Sequence, residues 1–252
     1  LIPKSQQNMA SQQSFPAVLN RFKDGNVLVQ AWPDYSPGNP LIIKAALPPF
    51  ILSVEAANDE VTNTETDLGT ARGVRNPLVF EIKATNPACL EKRIRGIVNH
   101  QFSDPDNVLF VTAGKKINVI LKKIRPKYPK KPPGTPRGSG NSPMEKSFAS
   151  AVGHGRAVIT IITKLGAADS PADANLSVVS MTTLVDLIEA ENENVQSALE
   201  DYGVANRARL KLFKGPQGLE KRRSAILKYL SSFPGLTQSD HYIEYNQAIK
   251  GT

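Results

Sequence analysis

Residues 54–78 read VEAANDEVTNTETDLGTARGVRNPL, and residues 188–212 read IEAENENVQSALEDYGVANRARLKL. The two stretches align without a gap, and nine of their 25 positions are identical. The identical pairs are Glu55/Glu189, Ala56/Ala190, Asn58/Asn192, Val61/Val195, Asp67/Asp201, Gly69/Gly203, Ala71/Ala205, Arg75/Arg209 and Leu78/Leu212. Further along, LEKR at 90–93 matches LEKR at 219–222. We therefore interpret the chain as a tandem duplication in which each copy has the size of an ordinary small domain.

Both matched stretches carry the residue spacing of a long helix. In each stretch, mostly apolar residues recur at alternating steps of four and three. On a helix these positions form one narrow stripe, which we call the seam. In the first copy the seam is Phe50, Val54, Ala57, Val61, Thr64, Leu68, Ala71, Arg75 and Leu78, and in the second it is Leu184, Ile188, Glu191, Val195, Ala198, Tyr202, Ala205, Arg209 and Leu212. This spacing is typical of helices in bundles or coiled coils, and the pairs and triplets of polar residues exclude a strand.

The starts of the long helices are predicted from turn signals. Ser-Pro pairs place them near 39–41 and 173–176. In the first copy, Pro48 and Pro49 indicate either that the main helix begins there or that it is kinked.

Shorter segments with helical spacing flank each long helix. They are 15–22 and 148–162 before it, 90–100 and 219–231 after it, and 241–250 at the end of the second copy. The counterpart of the last segment, at 107–113, is rich in β-branched residues, which makes a helix there doubtful. The sequence predicts an all-α protein, a tandem duplication of a helical-bundle module with about four helices each and one long central helix per module.

The predicted domain boundaries follow from the repeat. We expect helical-bundle modules at 9–113 and 142–252, joined by a basic Pro/Gly-rich linker at 114–141. The later part of this linker is too polar to order itself, whereas KKINVILKKI at 115–124 fits both a strand and a helix. Residues 1–8 precede the first methionine and are expected to be a tag or a disordered leader.

Composition restricts the location of the protein. The single cysteine, Cys89, has no partner for an internal disulfide, and no signal segment opens the sequence. The longest apolar stretch, near 157–162, is too short to span a bilayer. We expect a soluble, cytoplasmic protein without a transmembrane segment.

The net charge of +8 is concentrated in one segment. Between residues 107 and 144 there are nine basic residues and no acidic ones: Lys115, Lys116, Lys122, Lys123, Arg125, Lys127, Lys130, Lys131 and Arg137. The rest of the chain holds 22 basic residues against 23 acidic ones. A flexible cationic arm suits contact with a polyanion, nucleic acid first. The alternatives are a spacer and an arm that contacts an acidic membrane or protein surface.

Charged residues on the seam are the second set of candidates. Arg75, Arg209 and Glu191 occupy positions where an apolar side chain is expected. A charge there must be paired or must reach water along its stem. We predict structural ion pairs with Glu91 and Glu220, which begin the third helix of each copy. The alternative is that the arginines bind a carboxylate or phosphate ligand.

Motifs for catalysis or metal binding are missing from the sequence. There is no Walker A loop, no GxGxxG and no GxSxG, and the three histidines are scattered. We predict no catalytic residue, metal or cofactor, and a non-enzymatic two-module binding or structural protein that contacts a polyanion through its basic linker. The alternatives are a protein-interaction or self-assembly scaffold, including a homo-oligomer, and a small-ligand binder between the modules around Arg75 and Arg209.

Overall fold

The computed structural model describes residues 4–80, 88–124, 147–166, 171–232 and 240–250, with side chains from Phe15 and, in the third segment, from Phe148. These residues are helical and include no strand, which confirms the predicted all-α class. The helices are α1 (Lys4–Ala31), α2 (Leu47–Val79), α3 (Leu90–Gln101), α4 (Val108–Ile124), α5 (Ser147–Thr163), α6 (Val178–Lys214), α7 (Leu219–Leu230) and α8 (Asp240–Lys250).

The two long helices, α2 and α6, begin later than the turn signals predict. Short 3₁₀ turns at Lys44–Ala46 and Ala174–Leu176 precede them, so their starts are Leu47 and Val178. Pro48 therefore lies in the first turn of α2, where backbone N–H groups have no helical acceptor and proline is tolerated. Of the two possibilities that Pro48 and Pro49 left open, the later start is confirmed.

The spacing of the seam is confirmed by burial. All its positions are buried or half-buried in the structure. The buried ones are Phe50, Val54, Val61, Thr64, Leu68, Leu184, Ile188, Val195, Ala205 and Arg209. The Thr64 hydroxyl is accommodated because it donates to the Glu60 carbonyl oxygen at 2.9 Å.

Helix α4 extends into the first part of the predicted linker, which the sequence left open between a strand and a helix. It is continuous over Val108–Ile124, so the doubtful segment at 107–113 is helical from Val108 and residues 114–124 extend the same helix. Phe110, Ile117 and Ile124 are buried on one face, and this packing outweighs the strand preference of the β-branched residues. The rest of the predicted linker, 125–141, lies outside the described residues.

The N-terminal end is helical from Lys4, where the sequence predicted a tag or a disordered leader. Residues 1–3 lie outside the described part of the chain. Residues 4–8 are therefore ordered as a helix, and their origin as a tag stays a prediction.

The chain forms two compact units, and each unit draws on both halves of the sequence. The first combines Leu1–Asp67 with Glu200–Thr252, and the second is Leu68–Leu199. Helices α2 and α6 each give their first part to one unit and their second part to the other. The predicted modules 9–113 and 142–252 remain an interpretation of the sequence repeat. The compact units of the structure have different boundaries, because each unit contains segments from both halves.

The core of the first unit joins α1 and the start of α2 to the end of α6, α7 and α8. Its buried residues are Phe15, Leu19, Phe22, Val29, Trp32, Tyr35, Ile42, Leu47, Phe50, Ile51 and Val54 from the first half, and Phe213, Leu219, Ile226, Leu230, Tyr245 and Ile249 from the second. Helix α1 packs against α7 and α8. The rings of Phe15 and Phe213 meet edge to face with centroids 4.6 Å apart.

The core of the second unit is built in the same manner. Val79 at the end of α2, together with α3 and α4, packs against α5 and the start of α6. Phe80 and Phe148 meet edge to face with centroids 5.5 Å apart. Gly155 in α5 lies against Val185 and leaves no room for a Cβ. A glycine inside this helix therefore permits close packing, which offsets its helix cost of about 1 kcal/mol.

Two buried tyrosines of the first unit differ in their hydrogen bonding. The Tyr35 hydroxyl donates to the Ile42 carbonyl oxygen at 2.9 Å. The Tyr245 ring packs on Gly25, where an added Cβ would lie only 2.6 Å from the ring. The buried Tyr245 hydroxyl has no hydrogen-bond partner among the described residues. Burial raises the pKa of both phenols well above 10, assisted for Tyr35 by Tyr229 and for Tyr245 by Tyr35.

These tyrosines should respond in opposite directions when the hydroxyl is removed. Tyr245→Phe is expected to raise the free energy of unfolding by about 1 kcal/mol, because it removes a buried hydroxyl that has no hydrogen-bond partner in the described part of the chain. Tyr35→Phe should lower it by about 1 kcal/mol, because the Ile42 carbonyl loses its donor. Urea unfolding at neutral pH measures both, and a loss of stability in Tyr245→Phe would contradict the expectation.

The same pair sets the alkaline pH dependence. Because the folded-state pKa of each phenol is raised, its contribution to stability is complete below the unfolded pKa of about 10 and is lost as the pH rises further. We expect the free energy of unfolding to decline above that pH. The decline should be shallower in Tyr245→Phe, which lacks one of the two groups.

Candidate functional site

Four of the predicted polyanion-binding residues lie on α4 and are exposed. They are Lys115, Lys116, Lys122 and Lys123. The other five, Arg125, Lys127, Lys130, Lys131 and Arg137, lie outside the described residues. The structure therefore brings part of the predicted set together on one rigid helix.

The lysines of α4 form two rows along its outward side. At about 100° per residue, Lys115 and Lys122 fall in one row, and Lys116 and Lys123 fall in a second row roughly 100° around the helix. Between the rows lie Val108, Thr112 and Val119, and the two valines are 76% and 54% exposed. We call these seven residues the cationic face. Leu109, 73% exposed, lies at its edge.

The cationic face is held in position by the opposite side of α4. Phe110, Ala113, Ile117 and Ile124 are buried, and α4 packs against α3 and α5. Because the backbone carrying the lysines is part of a packed core, the two rows keep a fixed spacing, while each lysine stem stays free to move.

Within α4, the charged side chains of the cationic face are all lysines. Helix α4 contains no acidic residue. His154 on the neighbouring α5 has a pKa below its ordinary value of 6.5, first because of burial and then because of the charge of Lys123. The imidazole is therefore largely neutral at pH 7 and adds no positive charge to the four ammonium groups.

Sequence reasoning identified these lysines but missed the residues between them. Val108, Thr112 and Val119 became part of the site only because α4 is one continuous helix. The signal was present in the sequence, because 108, 112, 115, 119 and 122 recur at steps of four and three. Alternation of apolar and polar residues around Ile117 masked it, since that pattern also fits a strand.

Arg75 on the seam of α2 contacts aromatic and amide groups. Its guanidinium lies 3.5 Å from the centroid of the Phe148 ring. It also donates to Asn76 Oδ1 at 3.1 Å and to Asn192 Oδ1 at 3.5 Å. Since a weakly hydrated guanidinium stacks well on aromatic faces, this arginine is suited to packing inside the second unit.

Arg209 occupies the matching position on α6 in the first unit. It is buried, lies 4.5 Å from the centroid of the Phe15 ring, and donates to Asn206 Oδ1 at 2.8 Å. Burial lowers its pKa, while Tyr202 and Glu65 oppose the shift. An arginine pKa starts so high that the group stays charged at pH 7.

The two predicted glutamate partners, Glu91 and Glu220, and the seam glutamate Glu191 are found in separate environments. Glu91 is fully buried on α3 and accepts a hydrogen bond from Arg95 at 2.7 Å. Glu191 accepts one from Asn194 at 3.2 Å. Glu220 is exposed on α7, and within the described part of the chain it makes no ion pair with Arg209.

Arg93, which sequence reasoning did not single out, ties α3 to the turn before α6. Its Nε donates to the Ala88 carbonyl oxygen at 3.0 Å. Its Nη1 donates to the Asn175 carbonyl oxygen at 3.2 Å and to Ser180 Oγ at 2.7 Å. One side chain of the first half thus fixes the entry to the long helix of the second half.

Arg222 forms the corresponding contacts in the other direction. Its Nε donates to the Gln217 carbonyl oxygen at 3.0 Å, and its Nη1 donates to the Leu41 carbonyl oxygen before α2. The guanidinium lies 4.0 Å from the centroid of the Phe50 ring. Arg93 and Arg222 are aligned in the LEKR match, so comparison of the two copies could have revealed both.

Metal-binding and membrane-spanning features are not found among the described residues. No group of three or more His, Cys, Asp and Glu residues is placed there to hold a metal ion. None of the helices described above combines the length and the apolarity needed to cross a bilayer. Compared with known proteins, the chain matches no family model, no curated protein and no solved structure.

Proposed function

We propose that this protein is a non-enzymatic helical binding protein that contacts the phosphates of nucleic acid through the cationic face. The observation that carries the proposal is the pair of exposed lysine rows on a helix without an acidic residue. Neutralising phosphates with lysine releases condensed counterions, and this release drives binding. The basic residues at 125–137 extend the positive charge along the sequence.

We further infer that the chain is a tandem duplication of a helical-bundle module. In this duplication each core is completed by helices from the other copy. The paired contacts support this inference. Phe15 and Phe148 each meet a phenylalanine near the end of the long helix of the other half, and the bonds of Arg93 correspond to those of Arg222. In this arrangement the repeat serves as a scaffold that presents α4.

Helix α8 supports the assignment of binding to α4 alone. It packs against α7 and α1 as α4 packs against α3 and α5. Its exposed residues are Asp240, Ile243, Glu244, Gln247 and Lys250, which include two acids and one base. The copies therefore share the scaffold and differ in surface charge, as expected when one copy carries the binding function.

The contacts of the seam arginines give the small-ligand alternative less support. Arg75 and Arg209 belong to different units, and each guanidinium already lies over a phenylalanine ring and donates to an asparagine. A guanidinium engaged in this manner would have to give up these interactions in order to bind a ligand. These observations favour a structural role.

Salt-sensitive retention on heparin or DNA tests the proposed function. The full chain should be retained, and retention should disappear when the four lysines of the cationic face, Lys115, Lys116, Lys122 and Lys123, are replaced by alanine. The slope of log K against log salt concentration should become shallower by about 0.9 for every phosphate that the variant no longer neutralises. Fluorescence anisotropy with a labelled oligonucleotide measures this slope directly.

A charge-matched variant provides the control. Alanine at Lys211, Lys214, Lys221 and Lys228, which are exposed on α6 and α7, removes the same charge elsewhere and should leave retention close to that of the unmodified chain. Equal loss in both variants would show that only net charge matters. That result, or unchanged retention of the first variant, would contradict the proposal.

A further inference from the structure

We infer that the cationic face binds double-stranded DNA in the B form, with α4 in the major groove. The inference rests on the proposed function, because it assumes that α4 contacts nucleic acid, and it narrows that function to one class of nucleic acid. The observation that carries this inference is that the lysine rows lie on both sides of Val108, Thr112 and Val119. Attraction of a polyanion by charge alone does not require this arrangement.

The dimensions of α4 fit this groove. A helix with its side chains is about 10–12 Å wide, and the major groove of B-DNA is about 12 Å wide. Two lysine rows on opposite flanks can reach the two phosphate backbones that border the groove. Along the axis the members of each row are seven residues apart, roughly 10 Å, so each row contacts successive parts of one backbone.

The centre of the cationic face then points at the floor of the groove. A threonine hydroxyl donates to or accepts from base edges, and small aliphatic side chains contact the thymine methyl group. Thr112, Val108 and Val119 offer these groups, all exposed. The lysines therefore supply affinity and position, while the central line meets the bases.

Single-stranded nucleic acid fits the cationic face less well. Proteins that bind single strands combine positive charge with aromatic side chains on which bases stack. The aromatic residue of α4, Phe110, is buried in the core of the second unit, and the cationic face has none. Double-stranded RNA is disfavoured for another reason, because its major groove is too deep and narrow for a helix.

An acidic membrane surface is also less well matched. Helices that lie in a membrane interface bury Trp, Phe or Leu side chains among the lipids. The large apolar side chains of α4, such as Phe110 and Ile117, are committed to the protein core. Outward it offers the two valines Val108 and Val119 and, at the edge, Leu109, with no exposed Trp or Phe.

Anisotropy titrations of the full chain with three probes test the inference. The probes are a labelled DNA duplex, one of its separated strands, and an RNA duplex of the same sequence, all at the same low salt concentration. The DNA duplex should bind roughly tenfold tighter than the other two, which corresponds to one base-edge contact. Anionic vesicles serve as a fourth probe and should bind more weakly than the DNA duplex.

Substitution at the centre of the face separates groove binding from simple charge attraction. Val119→Glu should weaken duplex binding more than single-strand binding, so that the preference is lost. Val204→Glu on α6 is the control, since Val204 is 57% exposed against 54% for Val119, and it should leave the preference intact. Thr112→Glu is the second test variant, and circular dichroism checks that all three variants stay helical.

The outcomes distinguish this inference from the proposed function. Equal or tighter binding of the single strand, of the RNA duplex or of vesicles would overturn the inference. A duplex preference that survives both Val119→Glu and Thr112→Glu would also overturn it. In each case where nucleic acid still binds through the lysines of α4, the proposed function stands, whereas a full chain that binds none of the nucleic acids overturns both.

Discussion

A chain that consists only of residues 147–252 is expected not to fold as a monomer. Among the described residues, the core of the first unit has seventeen buried side chains, and eleven of them come from the first half of the sequence. Burial of one large apolar side chain contributes about 1.5–3 kcal/mol, and a whole domain is stable by only about 5–15 kcal/mol. Without its partner segments, the fragment cannot compensate for such a loss.

Two measurements check this expectation. Circular dichroism and light scattering of the 147–252 fragment should show low helicity, no cooperative thermal transition and a tendency to aggregate through exposed Phe213 and Leu230. When the fragment is mixed with a 1–124 fragment, helicity should return and a one-to-one complex should form. A monomeric 147–252 fragment that unfolds cooperatively would contradict the interleaved division of the chain.

Cleavage of the folded full chain provides a control, because its two pieces do not have to be prepared and folded separately. A protease site inserted within 125–146 separates the halves only after folding. The two pieces should then stay associated through both cores and elute together under native conditions. Separation of the pieces without denaturant would count against the proposed exchange of elements between the halves.

The helices themselves could be predicted because their signal is local. Residues on one face of a helix are close in sequence, so steps of three and four residues reveal the buried side, as they do for Val54 and Val61 in α2. Helix α4 was doubtful because Val108 and Val111 favour strands in isolation. Its packing against α3 and α5 decided the outcome, and that packing is not visible from local sequence.

The pairing of the halves could not be predicted, because the repeat itself makes it ambiguous. If the copies are equivalent, a face of α1 that fits the end of α2 in its own copy also fits the end of α6 in the other. The seam has the same period whether α1 packs on α2 or on α6. The sequence therefore does not distinguish these two arrangements. The interleaved choice is visible only when Phe15 is found against Phe213.

The sequence predicted which charged residues belong to the candidate site, but it did not predict how they are arranged in space. The lysines of α4 stood out because residues 107–144 contain nine bases and no acid. Their division into two rows around Val119 required a known helix with a known buried side. For the seam arginines, the position on the seam could be predicted and the partners could not. Phe148 and Phe15 lie far from Arg75 and Arg209 in sequence, so no local pattern indicates these contacts.

Phe213→Ala is expected to lower the free energy of unfolding by about 3–5 kcal/mol, the cost typical of truncating a buried phenylalanine. The side chain is 1% exposed and belongs to the first unit. Because a loss of this size is a large fraction of the stability of a small domain, urea unfolding should show a clear shift of the midpoint. Lys214→Ala on the exposed surface of α6 is the neighbouring control and should change stability by less than about 0.5 kcal/mol.

Four phenylalanines allow the same measurement to decide how the halves pair. Phe15 and Phe80 belong to the first half of the sequence, and Phe148 and Phe213 belong to the second. The structure pairs Phe15 with Phe213 and Phe80 with Phe148, whereas halves that folded separately would pair Phe15 with Phe80. Double-mutant cycles to alanine should therefore give a coupling of about 0.5–1.5 kcal/mol for each cross-half pair. The cycle for Phe15 with Phe80 should be additive, and coupling there with none between Phe15 and Phe213 would show that each half completes its own core.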